Sequence, residues 1–285
     1  MKRILITGAN SYIGTSFERY IDTSYSGSYI VDTVDMVDGS WREKSFAEYD
    51  CVFHVAGIAH SDSGKISEEK AKLYYAVNTD LTIETAKKAK ESGVGQFVFL
   101  SSMSVYGMET GVITKDTVPT PKTNYGRSKL QAEEGITQLA DNNFKVCVLR
   151  PPMVYGQGCK GNFQTVVKLV KKLPVFPRIK NERSMIYIDN LSSFVTMCID
   201  QEFSGLYFPQ NREYVSTAEM ARVIAKSFGK KLYFSFLLGL AVLLMRPAVS
   251  IAKKAFGTLV YKDTDDCGFE YCVFDNEESL GKSVD

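Results

Sequence analysis

Histidine is scarce in this chain of 285 residues, which contains only His54 and His60. Histidine is the side chain that most often moves protons in enzymes, so an acid–base site built from this sequence has to use other groups. The six cysteines form no Cys-x-x-Cys pair, and the two histidines do not complete a zinc ligand set with them. We therefore expect no metal site, and we interpret the cysteines as buried free thiols in a reducing cytosol.

An excess of charge is also lacking, because 34 Lys and Arg residues balance 33 Asp and Glu residues. The composition gives no sign of the clustered basic surface that nucleic acid requires, so we expect no nucleic-acid partner. The apolar stretch before Gly8 has only four residues, which is too short for a signal peptide, and we predict a cytoplasmic protein.

Long hydrophobic runs are missing as well. The most apolar segment, LYFSFLLGLAVLLM at residues 232–245, is 14 residues long, whereas a helix that spans a bilayer needs roughly 20. We predict a buried helix for this segment. The alternatives are a helix at a dimer interface or on a membrane surface, and the latter would make the protein membrane-peripheral.

What the sequence does contain is a regular alternation of short apolar strands and helical segments. The predicted strands are residues 3–7, 29–36, 51–57, 96–102 and 145–151. The clearest helical segments between them are residues 71–92 and 125–142, whereas the connection from 36 to 51 is short and holds little helix. This pattern indicates an α/β fold with a parallel, doubly wound sheet of the Rossmann type.

A glycine loop, TGANSYIG at residues 7–14, follows the first predicted strand and leads into a predicted helix. In a dinucleotide-binding fold such glycines let backbone N–H groups approach a pyrophosphate at a helix N-terminus. Ser11 replaces the usual middle glycine, and its hydroxyl could donate a hydrogen bond to a phosphate. The residues predicted to bind the cofactor in this loop are Gly8, Asn10, Ser11, Tyr12, Ile13 and Gly14.

An acidic residue is expected about 20 residues after the loop, where it would hold the ribose hydroxyls of the cofactor. Asp32 and Asp35 lie 18 and 21 residues after Gly14. Asp35, followed by Met36, is better placed at a strand end beside the adenine, although both aspartates also suit ordinary turns. No arginine directly follows Asp35, which favours NAD over NADP.

The chain divides, on this interpretation, into two functional parts. Residues 1–150 form an NAD(P)-binding Rossmann domain, to which residues 191–205 return. Residues 151–285 form mostly a smaller substrate-binding region, in which helices are predicted around 161–172, 189–201 and 217–228.

Tyr125 and Lys129 lie in the stretch NYGRSKLQAEE, four residues apart on a predicted helix that Asn124 would cap. Residues four apart share one helix face, so the two side chains should stand side by side. A free tyrosine has a pKa near 10, and a nearby ammonium together with an oxidised nicotinamide would favour its phenolate. Such a phenol can exchange a proton with a sugar hydroxyl, and Ser102 could hold the same oxygen.

Several motifs together resemble the extended short-chain dehydrogenase/reductase family, in particular its NAD-dependent nucleotide-sugar epimerase/dehydratase branch, which includes UDP-glucose 4-epimerase. The resemblance covers most of the chain and is strongest over residues 1–195. The motifs that carry it are TGANSYIG, VFHVAG, VNTDLT, FLSSMSVYG, YGRSK, LRPPMVYG and RSMIYIDN. It implies a cofactor, NAD with NADP as the alternative, a nucleoside-diphosphate sugar as substrate, in particular a UDP-sugar, and a homodimer.

The resemblance also implies roles for individual residues. Tyr125 corresponds to the acid/base of the family, Lys129 to its partner on the nicotinamide ribose and Ser102 to the third member of the set. Further positions implied to bind cofactor are Val55, Ala56, Gly57, Asn78, Leu100, Ser101, Pro151 and Met153. Positions implied to bind substrate are His60, Ser102, Met103, Ser104, Asn162 and Arg183, the last as a clamp on the diphosphate.

Two departures from the family pattern narrow the reaction. Dehydratases of this family carry an Asp-Glu pair directly after the active-site serine or threonine, and this chain has Met103 and Ser104 there. No carboxylate is then available to eliminate water, so dehydration is rejected. Pro152 stands where the family often has asparagine, which puts some substrate contacts in question.

The remaining hypotheses are a UDP-hexose 4-epimerase that works through a transient 4-keto sugar and an NAD(P)H-dependent 4-keto-sugar reductase of surface polysaccharide biosynthesis. A non-catalytic, NAD(P)-binding regulatory protein is the third. Of the other rare side chains, we interpret His54 as a hydrogen-bonded core residue and Trp41 as packing. His60 either contacts substrate or is an ordinary loop residue.

Overall fold

The computed structural model describes residues 1–59, 67–245, 253, 255–264 and 268–284, and the chain divides into two compact units. The first unit comprises Met1–Gly107, Val118–Pro151 and Ser192–Pro209. The second unit comprises Met108–Thr117, Pro152–Leu191 and Gln210–Asp285.

A six-stranded, fully parallel sheet forms the centre of the first unit. Its strands are β1 (Lys2–Thr7), β2 (Tyr29–Val34), β3 (Cys51–His54), β4 (Gln96–Leu100), β6 (Lys145–Leu149) and β10 (Gly205–Tyr207). The predicted Rossmann-type α/β fold is thus confirmed. Most predicted strands overran the carboxyl ends of the real ones by two or three residues, and these extra residues form loops at the edge where the candidate site lies.

The order of the strands is β10-β6-β4-β3-β1-β2, so β1 has β2 on one side and β3 on the other. After β1 the chain therefore adds β2 on one side of it and then crosses back to add β3 on the other side. In open parallel sheets ligands bind outside the carboxyl ends of the strands at such a reversal. The topology places this point where the glycine loop follows β1 and where Ala56 and Gly57 follow β3.

The helices of the first unit follow the predicted segments with small shifts. They are α1 (Tyr12–Ser24), α2 (Glu68–Tyr75), α3 (Leu81–Glu91), α4 (Asn124–Thr137) and, from residue 192 onward, α6 (Ile188–Asp200). The single segment predicted at 71–92 is α2 and α3 joined by a π-helical turn, Ala76–Asp80. Such turns are rare and often occur at functional sites.

The short connection between β2 and β3 holds one 3₁₀ turn, Ser40–Arg42, as the sequence predicted. Trp41 in this turn is only 1% exposed and packs near Phe46 in the main hydrophobic cluster, which confirms its packing role. The five described cysteines are free thiols; four are buried and Cys272 is half-buried, while Cys267 lies outside the described residues.

The second unit contains three two-stranded parallel pairs. The pairs are β5 (Gly111–Ile113) with β12 (Leu259–Tyr261), β7 (Met153–Tyr155) with β9 (Met185–Tyr187), and β8 (Val175–Pro177) with β11 (Tyr233–Ser235). Its helices are α5 (Asn162–Lys172), α7 (Thr217–Ser227), α8 (Phe236–Met245) and α9 (Asn276–Lys282), with the first residues of α6.

Helix α8 is the apolar segment for which burial was predicted, and that prediction is wrong. Phe236, Leu237 and Leu244 are each more than 70% exposed, and Leu240 is 45% exposed. In the part of the chain that the structure describes, no helix is long and apolar enough to cross a membrane. The prediction was wrong because it rested on apolar composition alone. Composition shows that a helix could be buried, but it does not show whether the fold provides another surface that covers it.

Candidate active site

The glycine loop is held against the ends of three strands. The N–H groups of Gly8 and Ala9 both donate to the Val34 carbonyl at the end of β2, over 3.0 and 3.1 Å. Gly8 has a φ of +103°, and a Cβ there would lie 2.8 Å from the backbone nitrogen of Ala56. Only glycine satisfies both the conformation and the close approach. The loop therefore presents backbone rather than side chains at the reversal point of the sheet.

The first turn of α1 begins directly after this loop. Ser11 is its N-cap, because the Ser11 hydroxyl accepts a hydrogen bond of 3.1 Å from the Gly14 N–H. Asn10 has a φ of +63°, and Tyr12 and Ile13 begin the helix. The N-terminus of a helix carries partial positive charge and unpaired N–H groups, which suits a pyrophosphate. Donation of the Ser11 hydroxyl to a phosphate stays a prediction.

Asp35 and Asp32 have different surroundings. Asp35 is exposed directly after β2, and its Oδ1 accepts a hydrogen bond of 2.9 Å from the Val37 N–H, with Met36 buried between them. Asp32 lies within β2, where the Tyr49 hydroxyl donates to it over 3.0 Å. Asp35 therefore stays the better candidate for the ribose-binding acid.

Asn78 ties the loop after β3 to helix α4. Its side chain accepts from the Ile58 N–H at 2.9 Å and donates to the Ile58 carbonyl and the Ser128 hydroxyl, both at 3.1 Å. A Cβ on Gly57 would lie 3.0 Å from the Asn78 Oδ1 and 3.3 Å from the Lys129 Nζ. The residues after β3, including Val55 and Ala56, are thus fixed beside α4. His60, predicted to contact substrate, lies outside the described residues.

His54 is a hydrogen-bonded core residue, as predicted. Its Nδ1 lies 2.7 Å from the Thr7 hydroxyl and its Nε2 lies 3.0 Å from the Thr82 hydroxyl. Because Thr82 donates its own proton to the Asn78 carbonyl, the Nε2 must carry the ring proton and the Nδ1 must accept. Burial, together with the nearby Lys129 charge, lowers the pKa of His54 to about 3, so the ring is neutral and structural.

Helix α4 starts one residue earlier than predicted, and its cap is Thr123 rather than Asn124. The Thr123 hydroxyl accepts from the Gly126 N–H at 3.1 Å. A Cβ on Gly126 would lie 2.6 Å from the Ser104 carbonyl oxygen, so the helix rests directly on the backbone of the 3₁₀ turn Met103–Tyr106. This close contact brings the residue before the turn, Ser102, to the start of α4.

The Ser102 side chain faces the Tyr125 hydroxyl at the start of α4. The Ser102 oxygen accepts from the Ser104 N–H, and its hydroxyl donates to the Ser104 hydroxyl over 3.1 Å. Burial raises the pKa of Tyr125 above its usual value, and the Ser102 hydroxyl offsets part of that rise. The protein itself therefore favours the neutral phenol, whereas the sequence predicted that a neighbouring ammonium would favour the phenolate.

Lys129 is buried, and its ammonium donates to the Leu100 carbonyl at 2.8 Å. It also lies 4.6 Å from the centre of the Phe99 ring, where a cation is attracted to the aromatic face. Burial lowers the pKa of Lys129 to about 8, and the charge of Glu133 opposes this shift. The positive charge is thus held at the end of β4, beside Gly57, and is lost at mildly alkaline pH.

The sequence interpretation missed a buried ion pair behind this cluster. The Nε and Nη2 atoms of Arg150 donate to the Glu133 carboxylate. Its Nη1 atom donates to the Tyr106 hydroxyl at 2.7 Å. Ser101, predicted to bind cofactor, donates its hydroxyl to the same carboxylate. Glu133 lies four residues after Lys129, and this spacing is the signal that could have pointed to it.

The remaining predicted residues lie near the start of the second unit or within it. Pro151 ends a segment of the first unit, and its carbonyl accepts from the Met103 N–H at 2.9 Å. Met153 begins β7 and Asn162 begins α5. Arg183 is half-buried, donates to the Gly257 carbonyl at 2.9 Å and has a pKa that burial lowers. Their roles in binding stay predictions.

The first unit fits a dinucleotide. At Gly8 the glycine loop presents backbone where a side chain would collide with Ala56, and the first turn of α1 begins at the same edge of the sheet. The Lys129 ammonium lies at the end of β4. Among the residues that the structure describes, no group of three His, Cys, Asp or Glu could hold a metal ion. The hydroxyl groups that this geometry brings together are those of Ser102 and Tyr125, with Lys129 one helical turn further along α4.

Comparisons with known proteins agree with this arrangement. The chain is 34% identical over 255 residues to a UDP-glucose 4-epimerase of Vibrio cholerae, covering 80% of this chain and 76% of that protein. It is 24% identical to an N-acetyl-α-D-glucosaminyl-diphospho-ditrans,octacis-undecaprenol 4-epimerase of Escherichia coli O157:H7, covering 80% and 73%. The solved structure of UDP-glucuronic acid 4-epimerase from Bacillus cereus in complex with NAD has the same fold, with a TM-score of 0.73 at 18% identity over 99% of this chain and 95% of that one.

A family model covers most of the chain. The model described as the NAD dependent epimerase/dehydratase family matches residues 4–207. The predicted cofactor, NAD, is the one by which this family is described, and the extended short-chain dehydrogenase/reductase resemblance is confirmed. This protein therefore belongs to the NAD dependent epimerase/dehydratase family.

Proposed function

We propose that the protein is a UDP-hexose 4-epimerase. The observation that carries the proposal is the placement of Ser102 against Tyr125 at the start of α4, with the buried ammonium of Lys129 one helical turn further along that helix. Sequence similarity to the Vibrio cholerae UDP-glucose 4-epimerase supports the choice of reaction. The broader activity, an NAD(P)-dependent reaction on a sugar nucleotide, is common to the family and its nucleotide-sugar relatives.

In this mechanism Tyr125 takes the proton of the sugar C4 hydroxyl, and the Ser102 hydroxyl donates to the same sugar oxygen. Bound NAD supplies the reversible two-electron oxidation at C4 that converts the hydroxyl to a ketone. After the keto sugar turns over in the site, hydride would return to the opposite face of C4, and Tyr125 would return its proton to the C4 oxygen. Lys129 would hold the nicotinamide ribose, and the positive charge of the oxidised nicotinamide would help the phenol to give up its proton.

The main alternative is an NAD(P)H-dependent reductase of a nucleotide 4-keto sugar, which would use the same residues. Epimerisation leaves the oxidation state of the sugar unchanged, whereas reduction consumes one NAD(P)H for each turnover. The test is to incubate the purified protein with UDP-glucose, UDP-N-acetylglucosamine and their 4-keto-6-deoxy derivatives, and to follow both products and NAD(P)H absorbance. We expect C4 epimers without loss of absorbance. Stoichiometric loss of NAD(P)H would refute the epimerase.

A second candidate substrate is a sugar linked through diphosphate to a polyprenol. The relative from Escherichia coli O157:H7 is named for such a substrate, and the exposed apolar helix α8 is the feature of this chain that favours it. The sugar and the diphosphate are chemically alike in both substrates, so the same proton transfer applies. Comparing turnover of undecaprenyl-diphosphate N-acetylglucosamine with that of UDP-N-acetylglucosamine, at matched concentrations in detergent, distinguishes them. Turnover confined to the UDP-sugar would eliminate this candidate.

A further inference from the structure

Helix α8 leaves nearly all its side chains uncovered. Of the residues from Phe236 to Leu244, only Gly239 is buried, and Leu237 is 76% exposed. The helix contains no charged or hydrogen-bonding side chain, so no face of it is suited to water. Contiguous exposed apolar surface on this scale indicates an interaction site.

The single glycine of the helix makes its closest backbone contact within the second unit. A Cβ on Gly239 would lie 2.4 Å from the carbonyl oxygen of Arg178, so the α8 backbone rests directly on the end of β8. The apolar surface continues onto the neighbouring strands, because Tyr233 pairs in register with Val175, and their exposed fractions are 56% and 37%. Helix α8, Tyr233 and Val175, with the 37%-exposed Leu173, make up what we call the apolar platform.

Positive charge is concentrated in the two sequence segments that form this platform, although the chain as a whole is close to neutral. Residues 220–262 contain eight Lys and Arg and no Asp or Glu, and residues 152–181 contain six Lys and Arg and no Asp or Glu. The pairing of β8 with β11 brings these two segments together at the platform. Lys172, Arg178 and Lys231 are exposed directly beside its strands.

We propose that the apolar platform docks on the surface of an anionic lipid bilayer. Ten helical residues extend about 15 Å, half of the roughly 30 Å hydrocarbon core, so α8 would lie in the interface rather than span the bilayer. Its side chains enter the acyl region while the surrounding lysines and arginines meet the lipid phosphates. Tyr233 has the amphipathic ring that favours this boundary.

A second copy of the chain fits the platform less well. A two-fold contact places the same patch against itself, so the basic rim would face another basic rim. Like charges brought together across an interface oppose association. An anionic bilayer instead offers the opposite charge around an apolar centre.

The test is co-sedimentation of the full chain with two kinds of vesicle, phosphatidylcholine alone and phosphatidylcholine mixed equally with phosphatidylglycerol. We expect binding to the mixed vesicles that weakens as salt is raised, because the screening length falls from about 10 Å at 0.1 M to about 3 Å at 1 M. Leu237→Glu should lower the partition coefficient at least tenfold. The matched control is Val118→Glu, since Val118 is 74% exposed and lies in the first unit, and this variant should bind as the wild type does.

Charge is tested separately with Lys172→Gln combined with Lys231→Gln. The control of equal charge is Lys70→Gln combined with Lys87→Gln, two exposed lysines of the first unit. The first pair should weaken binding to mixed vesicles several-fold, and the control pair should not. Circular dichroism and NAD binding show that each variant is folded. Equal pelleting of Leu237→Glu and wild type, or no pelleting of the wild type, would overturn the proposal. So would a wild-type dimer in sedimentation velocity that Leu237→Glu dissociates while vesicle binding is absent, since a second copy would then cover the platform.

Discussion

Helices α4 and α8 each contact the backbone of a neighbouring element through a single glycine, but they differ in which side chains are buried and which are exposed. The Gly126 contact of α4 is with the Ser104 carbonyl, and the Gly239 contact of α8 is with the Arg178 carbonyl. Around the first, Lys129 and Glu133 are buried charges in a polar helix. Around the second, leucines of an apolar helix are exposed. Composition alone therefore does not decide burial; the partners that the fold supplies do.

The largest effect is expected where α4 carries the proposed chemistry. Tyr125→Phe removes the proton-transfer group and should lower turnover by about 10³-fold or more, because a positioned acid–base group contributes roughly 10² to 10⁴. NAD affinity, measured by fluorescence titration, should change little. An unchanged turnover rate would instead favour the hypothesis of a non-catalytic, NAD(P)-binding regulatory protein.

Next in size is the buried ion pair on α4. Glu133→Ala leaves the Arg150 guanidinium buried without its carboxylate and should lower the free energy of unfolding by about 3–5 kcal/mol. Replacing both partners, as Glu133→Leu with Arg150→Met, should recover much of that loss. The measurement is urea unfolding of the three proteins. If the double variant is as unstable as the single one, the pair itself and not the uncompensated charge supports the fold.

The two glycine contacts can be compared directly. Gly126→Ala and Gly239→Ala both place a methyl group within 2.6 Å of a carbonyl oxygen, so each helix must shift. We expect Gly126→Ala to lower kcat about tenfold or more, since sub-ångström placement of Ser102 against Tyr125 matters to proton transfer. Gly239→Ala should leave kcat unchanged and alter only vesicle binding. Equal loss of kcat in both variants would contradict the separation of roles.

An effect spread over several pH units concerns His54. Its pKa is about 3 in the folded protein and near 6.5 when unfolded, so the unfolded chain binds more protons between these values. Stability should therefore be full above pH 6.5 and fall by about 1.4 kcal/mol for each pH unit below it, down to about pH 3. His54→Gln should remove this contribution. Urea midpoints measured from pH 7 to 4 check it, and identical slopes in both proteins would refute it.

The sequence predicted most of the sheet because its strands are continuous apolar runs, such as the four fully buried residues of β3. It also predicted roles for Ser102, Tyr125 and Lys129, and the structure places Ser102 against Tyr125 while the roles stay predictions. It missed the Glu133–Arg150 pair, because partners 17 residues apart, one on a helix and one just after a strand, leave no periodic pattern. The Thr123 cap was missed because neighbouring Thr and Asn both suit the N-cap position.

The end of β4 ties the length of that strand to the proposed site. Ser101 turns its hydroxyl inward to Glu133, and the next residue, in extended conformation, faces Tyr125. Successive side chains on extended backbone point to opposite sides. A single insertion or deletion between Gln96 and Ser102 would exchange the two directions, which would take the Ser101 hydroxyl from Glu133 and the Ser102 hydroxyl from Tyr125. The proposed function therefore depends on the number of residues in this strand more than on their types.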